Sequence, residues 1–144
     1  MNELLPGIKF LQDRLTGAAG LTALVGQRIY SGMAPQKAAY PLVIHAYQSG
    51  GVTPALGADV GRLMADPRFL VKAVTQERDP LAAGRIANQI DEAIDGKSAA
   101  IVIDGITYNV QGCIMEQQIH FTEDVGDLRY QHFGGLYRLY ISEQ

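Results

Sequence analysis

One stretch constrains the fold of this chain more than any other. In residues 79–96, "DPLAAGRIANQIDEAIDG", Asp79 offers an N-cap, Pro80 suits the first helical position and Gly96 lies just past the end. Between them Ala83, Ile86, Ala87, Ile90, Ala93 and Ile94 recur at i, i+3, i+4 and i+7, with Asn88, Gln89, Asp91 and Glu92 on the other side. A helix over 80–95 with one apolar stripe has to bury that stripe, and the flanking sequence supplies a surface. Residues 67–76, "PRFLVKAVTQ", alternate Phe69, Val71, Ala73 and Thr75 against Leu70, Lys72 and Val74, as a strand does. Residues 101–110, "IVIDGITYNV", carry Asp104-Gly105, a favoured two-residue hairpin turn. The helix is therefore expected to lie on a sheet.

The rest of the chain extends this plan. Leu4, Ile8, Leu11 and Leu15 predict an N-terminal helix over 2–15, with Leu5 widening the stripe and Pro6 near its start. A short helical turn over 21–25 ends at Gly26. Pro41 opens a run of β-formers, predicting a strand over 42–48. Residues 49–61, "SGGVTPALGADVG", read as a long loop, too rich in Gly and Pro for regular structure. After the Asp104-Gly105 turn a strand runs toward Phe121 with a bulge at Gly112, and residues 122–128 form an acidic turn. A last strand covers 129–142, where Gly134-Gly135 marks a bulge or a close approach of backbones. The expected order is ααββαβββ. The class is α+β: an N-terminal helix and a mixed, mostly antiparallel sheet with one long helix packed on it. Residues 1–144 form one domain, the simplest reading of this length.

Chemistry is hard to find in these residues. The 12 Lys and Arg are scattered among 15 Asp and Glu, for a net charge of −3, which argues against a phosphate-gripping surface. The one cysteine, Cys113, reads as a buried apolar thiol in "VQGCIM". His45 sits mid-strand and reads as a core histidine. His120 and His132 could meet across the terminal hairpin near Glu116 or Asp124, but no spaced ligand motif supports a metal there. "GADVGRL", residues 57–63, lacks the Gly-Lys-Ser/Thr ending of a phosphate loop. Glu123, Asp124 and Asp127 read as a solvated tip. The expectation is no enzyme, no metal and no cofactor. The start "MNELLPGIKF" is no signal peptide, and no apolar run approaches the roughly 20 residues of a membrane helix, so a soluble cytoplasmic product is expected.

Tyrosine is the most frequent aromatic, with 7 Tyr, 4 Phe and no Trp. Tyr30, Tyr40 and Tyr47 surround "GQRIYSGMAPQKAAYPLVIHAY", residues 26–47, and Tyr130, Tyr137 and Tyr140 lie in the last strand. Interface use and sheet packing explain them equally well. The stretch "LTALVGQRIYSGMAPQKAAYPLVIHAY" resembles the N-terminal signature of the tail-completion, or tail-terminator, proteins of long-tailed bacteriophages and phage-like particles. "RFLVKAVTQERDPLAAGRIANQIDEAID" resembles that family's strand-then-helix unit, and "LRYQHFGGLYRLYI" its closing strand. The departures are "YQSGGVTPALGADVGRLMAD" and the acidic "FTEDVGDL".

The resemblance, to proteins of the lambda tail-terminator type, implies a structural virion protein with no reaction and no cofactor. It implies a homo-oligomeric ring, usually of six subunits, that caps the head-proximal end of the tail tube and stops its polymerisation. Its partners would be the tail tube protein and a head-side connector or stopper, with DNA only in transit and no membrane. The place would be the virion tail or neck, after assembly in the host cytoplasm. Candidate interface residues are Ser31, Met33, Pro35, Gln36, Lys37 and Tyr40 in the stiff 31–40 segment, with Arg62, Arg68, Tyr130 and Tyr137. Asp59, Asp66, Glu123, Asp124 and Asp127 are candidates for the lumen wall, where an acidic surface would not adsorb passing DNA. Two other readings stand beside it: another neck component, such as a head-closure protein or connector-side adaptor, and a small enzyme or ligand-binding domain with its site between subunits.

Overall fold

The computed structural model describes residues 4–54 and 62–143. Two helices, α1 (Leu4–Thr16) and α2 (Ala19–Val25), lead into β1 (Ile29–Ser31), β2 (Leu42–Ser49), β3 (Val52–Pro54), β4 (Arg62–Ala65) and β5 (Arg68–Thr75). Helix α3 (Leu81–Ile94) follows, then β6 (Ala99–Ile103), β7 (Ile106–Val125) and β8 (Leu128–Glu143). The class is the expected α+β, with the long helix packed on a mostly antiparallel sheet.

The sheet is built around β8. On one side β8 pairs with β7 from Leu128 to Glu143; on the other it pairs first with β5 and then, at Ile141, with β4. Beyond β5 come β2 and then β1, which runs parallel to β2. Phe69, Val71 and Ala73 of β5 and Tyr137, Leu139 and Ile141 of β8 face the helices, the alternation that a half-buried strand requires. Onto them α3 lays Ala83, Ile86, Ile90, Ala93 and Ile94, the stripe read from sequence, and Asp79 accepts the Leu81 N–H at 2.9 Å as its cap. Phe10, Leu11 and Leu15 of α1 complete the cluster with Leu21 and Val25 of α2.

Three local expectations change, and a fourth, left between two alternatives, is decided. Leu5 is 45% exposed, because α1 turns Phe10 and Leu11 to the core, and Gly7 sits where a side chain would press on the Phe69 ring. Part of the 49–61 loop is strand: β3 pairs with β4 despite Pro54, which a short edge strand tolerates. The remainder of that loop lies outside the described residues. The acidic turn is only two residues long. Gly126, with φ of 60°, supplies the positive first position, so residues 122–125 stay in β7. Gly134-Gly135 is a close approach and not a bulge: a side chain on Gly134 would lie 2.1 Å from the Val71 carbonyl oxygen, while the β5–β8 register runs unbroken. The bulges fall in β7, between Val110 and Gly112 as expected, and again between Met115 and Gln117.

Candidate assembly surface

Two buried polar side chains of the core, His45 and Tyr137, each have a side-chain partner. His45 is fully buried, and its Nε2–H donates to Gln12 Oε1 at 2.7 Å while Gln12 donates to the Ile29 carbonyl. Burial pushes its pKa down to about 4, so it is a neutral core histidine. Cys113 is fully buried, and burial followed by the charges of Asp95 and Asp91 pushes its thiol up to about 12, which makes it an inert thiol. His120 and His132 do not converge. They pair across the hairpin with Phe133 and Phe121 respectively, and therefore point to opposite faces of the sheet. Among the described residues no group of three His, Cys, Asp or Glu is placed to hold a metal.

The candidate contact residues separate into groups. Ser31 at the end of β1 is exposed, as are Pro35, Gln36, Lys37 and, at 82%, Met33 on the segment that links β1 to β2. That segment is shaped: Gly32 and Lys37 have positive φ, the Ala38 N–H bonds the Pro35 carbonyl at 3.1 Å, and Arg28 Nε holds the Pro41 carbonyl at 2.7 Å. Its far end is tethered by Tyr40, whose ring lies 5.3 Å from that of Tyr130 over a shallow hollow floored by Leu42, Ile44 and Val74. Burial, then the neighbouring Tyr130 and Glu123, raises the Tyr40 pKa. Tyr137 leaves the candidate surface altogether. It is 1% exposed in the core, and its hydroxyl donates to Asp91 at 2.9 Å.

Ion pairs occupy several of the other candidates. Arg138 bonds Asp66 at 2.8 Å and pairs with Glu116, which also takes Arg68 at 3.4 Å. Asp66 and Arg68 are thus held within the sheet's own charge network. Asp124 pairs with Arg129 at 2.8 Å and Glu123 accepts a hydrogen bond from His132 Nε2 at 3.2 Å, leaving Asp127 exposed in the turn. Arg62 lies in β4, but its side chain and the whole of Asp59 lie outside the described residues.

The residue-level reading carried β7 toward Phe121 but missed its last residues, 122–125, and the exposure of its far half. From Glu116 to Arg129 the hairpin is exposed at every residue except half-buried Ile119, with Phe121 at 42%, Val125 at 55% and Leu128 at 48%. Helix α3 covers β5 and β8 but stops short of this arm. A groove of about 480 Å³ is left between Leu81, Gly84, Arg85 and Asn88 on one side and Gln118 with Phe133 on the other. Val125 continues the alternation of Ile119 and Phe121, a strand signal masked by Glu123, Asp124 and Asp127 around it.

The described surface thus carries an exposed strand arm and a shaped loop. The family model "Tail completion protein gp17" matches residues 9–118, and the chain belongs to that family. It is a structural tail protein of a phage-type virion. The fold agrees: a chain of the "Virion of native gene transfer agent (GTA) particle" superposes with a TM-score of 0.66 at 21% identity, covering 93% of this chain and 92% of that one. A second solved structure gives 0.54 at 12% identity, covering 94% of both. No curated protein sequence matches the chain. Among the described residues no helix is long and apolar enough to cross a membrane.

Proposed function

We propose that this chain is one subunit of a ring that caps the head-proximal end of a phage tail tube, stops tube growth and offers the joining surface to the head-side connector. The observation that carries this reading is the family match over residues 9–118 on a domain whose exposed features are a strand arm and a stiff loop. Rings need two different, complementary patches on one subunit, and an α+β sheet with an open edge and a shaped opposite side has that equipment. The ring is proposed to hold six subunits, to bind the tail tube protein on one face and a connector or stopper on the other, and to act in the tail or neck after cytoplasmic assembly. DNA passes through the pore without binding. No catalytic role is proposed.

Purified protein mixed with tail-tube subunits is the test. A terminator binds tube ends and shortens the tube-length distribution, as seen by negative-stain microscopy; binding only to connector rings, with tube length unchanged, would instead identify another neck component. For the lumen wall, Asp127 is exposed in the turn and, among the described candidate acids, is the one without an ion pair. If reversing its charge together with Glu123 and Asp124 leaves DNA ejection undiminished, these acids do not line the pore.

A further inference from the structure

We infer that the open edge of β7, from Gln118 to Asp124, pairs with the same edge of a second copy of this chain about a two-fold axis at Phe121. The inference concerns the free protein, goes beyond the ring reading and does not depend on it. The backbone comes first. Gly126-Asp127 is a two-residue turn, so Val125 and Leu128 form a hydrogen-bonded pair. Counting back by two, Glu123, Phe121 and Ile119 bond to β8, and the N–H and C=O groups of Asp124, Thr122, His120 and Gln118 point away from it. β6 pairs with β7 only as far as Val110, the Gly96 N–H bonds the Cys113 carbonyl, and Asp95 accepts the Met115 N–H. Among the described residues no strand covers the edge beyond that point. Neither face bars an approach: Gln118, His120 and Thr122 are exposed on the side of α3, and Phe121 and Glu123 on the helix-free side. What fits a row of backbone donors and acceptors is another extended chain.

Composition and register point to the same edge of a second copy. Natural open edges are blunted by Lys, Pro or charge. Residues 117–122, "QQIHFT", contain no Pro, Gly, Lys, Arg, Asp or Glu, the composition with which identical segments pair. The register follows from the backbone, because outward residues must meet outward residues. Gln118, His120, Thr122 and Asp124 lie symmetrically about Phe121. An axis there pairs His120 with Thr122 and Gln118 with Asp124, twice each, and uses every outward group on both copies. Ile119 then meets Glu123, Phe121 meets Phe121, and no acid faces an acid. Other axes do worse. At His120, Asp124 falls opposite Glu116; at Thr122, Gln118 falls opposite Gly126 in the turn; at Glu123, that acid faces itself. The ladder is also bounded. The other copy's Asp127 comes level with Met115, whose N–H Asp95 already holds. A two-fold contact is closed, so it makes a dimer and goes no further.

The test uses full-length protein in the absence of tubes. Sedimentation equilibrium is expected to show a dimer. Phe121→Cys is expected to give a covalent dimer under mild oxidation, since facing residues of a non-hydrogen-bonded pair lie about 4.5 Å apart at Cα, within disulfide reach. Cys113 is buried, so the unaltered protein is expected to give none. Phe121→Glu and Phe121→Lys, at an exposed position, are each expected to weaken the dimer by about tenfold or more. An equimolar mixture of the two is expected to restore it, as only a contact of position 121 with itself would. If the unaltered protein is monomeric, this contact is wrong and tube capping still decides the ring reading. If it is dimeric, yet both charged variants stay dimeric and Phe121→Cys does not link, the copies meet elsewhere and the edge assignment falls. If Thr122→Cys links and Phe121→Cys does not, the axis at Phe121 is wrong. A protein that links through position 121 but never caps tubes would keep this contact and sink the ring reading alone.

Discussion

At the scale of residues, His45 shows how the core was chosen. Its Nε2–H is used on Gln12, and its Nδ1 is buried with no partner, so protonation would create an unpaired N–H and an unsolvated charge. The folded pKa, about 4, lies below the ordinary value of 6.5. The unfolded state therefore takes up the proton first as pH falls, and stability is full above about pH 6.5 and declines toward pH 4. The maximum loss is about 3 kcal/mol at 1.36 kcal/mol per pKa unit. Urea titrations at pH 7 and pH 4.5 should show that fall, and His45→Gln should flatten much of it; an unchanged slope would mean that another group sets it. Gly134 makes a steric case. A methyl group there would meet the Val71 carbonyl oxygen and the Lys72 Cα at 2.1 and 2.5 Å, both backbone atoms that cannot move without parting β5 from β8. Gly134→Ala is expected to cost about 3 kcal/mol in the same assay, the upper range for overpacking. A loss below about 0.5 kcal/mol would show that the strands yield.

At the scale of elements, α3 and the β7–β8 arm are opposites. Helix α3 is amphipathic, and its stripe is satisfied within the chain. Ile90→Ala should cost about 2–5 kcal/mol, while Glu92→Ala on the exposed side stays within about 0.5 kcal/mol. Equal effects in thermal unfolding would contradict the packing described. The arm is not satisfied within the chain: its apolar residues 121, 125 and 128 face solvent. The 32–41 segment lies between these extremes, held at Tyr40 and Arg28 but free at its tip. Deleting residues 36–38 is expected to leave the melting temperature within a few degrees and to abolish tube capping; intact capping would reduce the segment to a connector.

At the scale of the whole molecule, the division of labour follows from the range of each signal. The sequence by itself determined what depends on near neighbours. The α3 stripe and its Asp79 cap follow from the 3.6-residue period, the β6–β7 turn from Asp104-Gly105, and the burial of His45 and Cys113 from apolar surroundings a few residues away. The family was legible too, because the 26–47 and 67–95 segments carry its short motifs in order. Tertiary structure alone decided what depends on partners distant in the chain. Tyr137 and Tyr130 look alike in the last strand, yet α3 brings Asp91 over one of them and leaves the other at the rim. Asp66 and Arg68 read as free surface charges until Arg138 and Glu116 arrive from strands far along the chain. The open edge of β7 was invisible for the same reason. A strand's own residues say that it will pair, but only the placement of every other strand says which side is left without a neighbour.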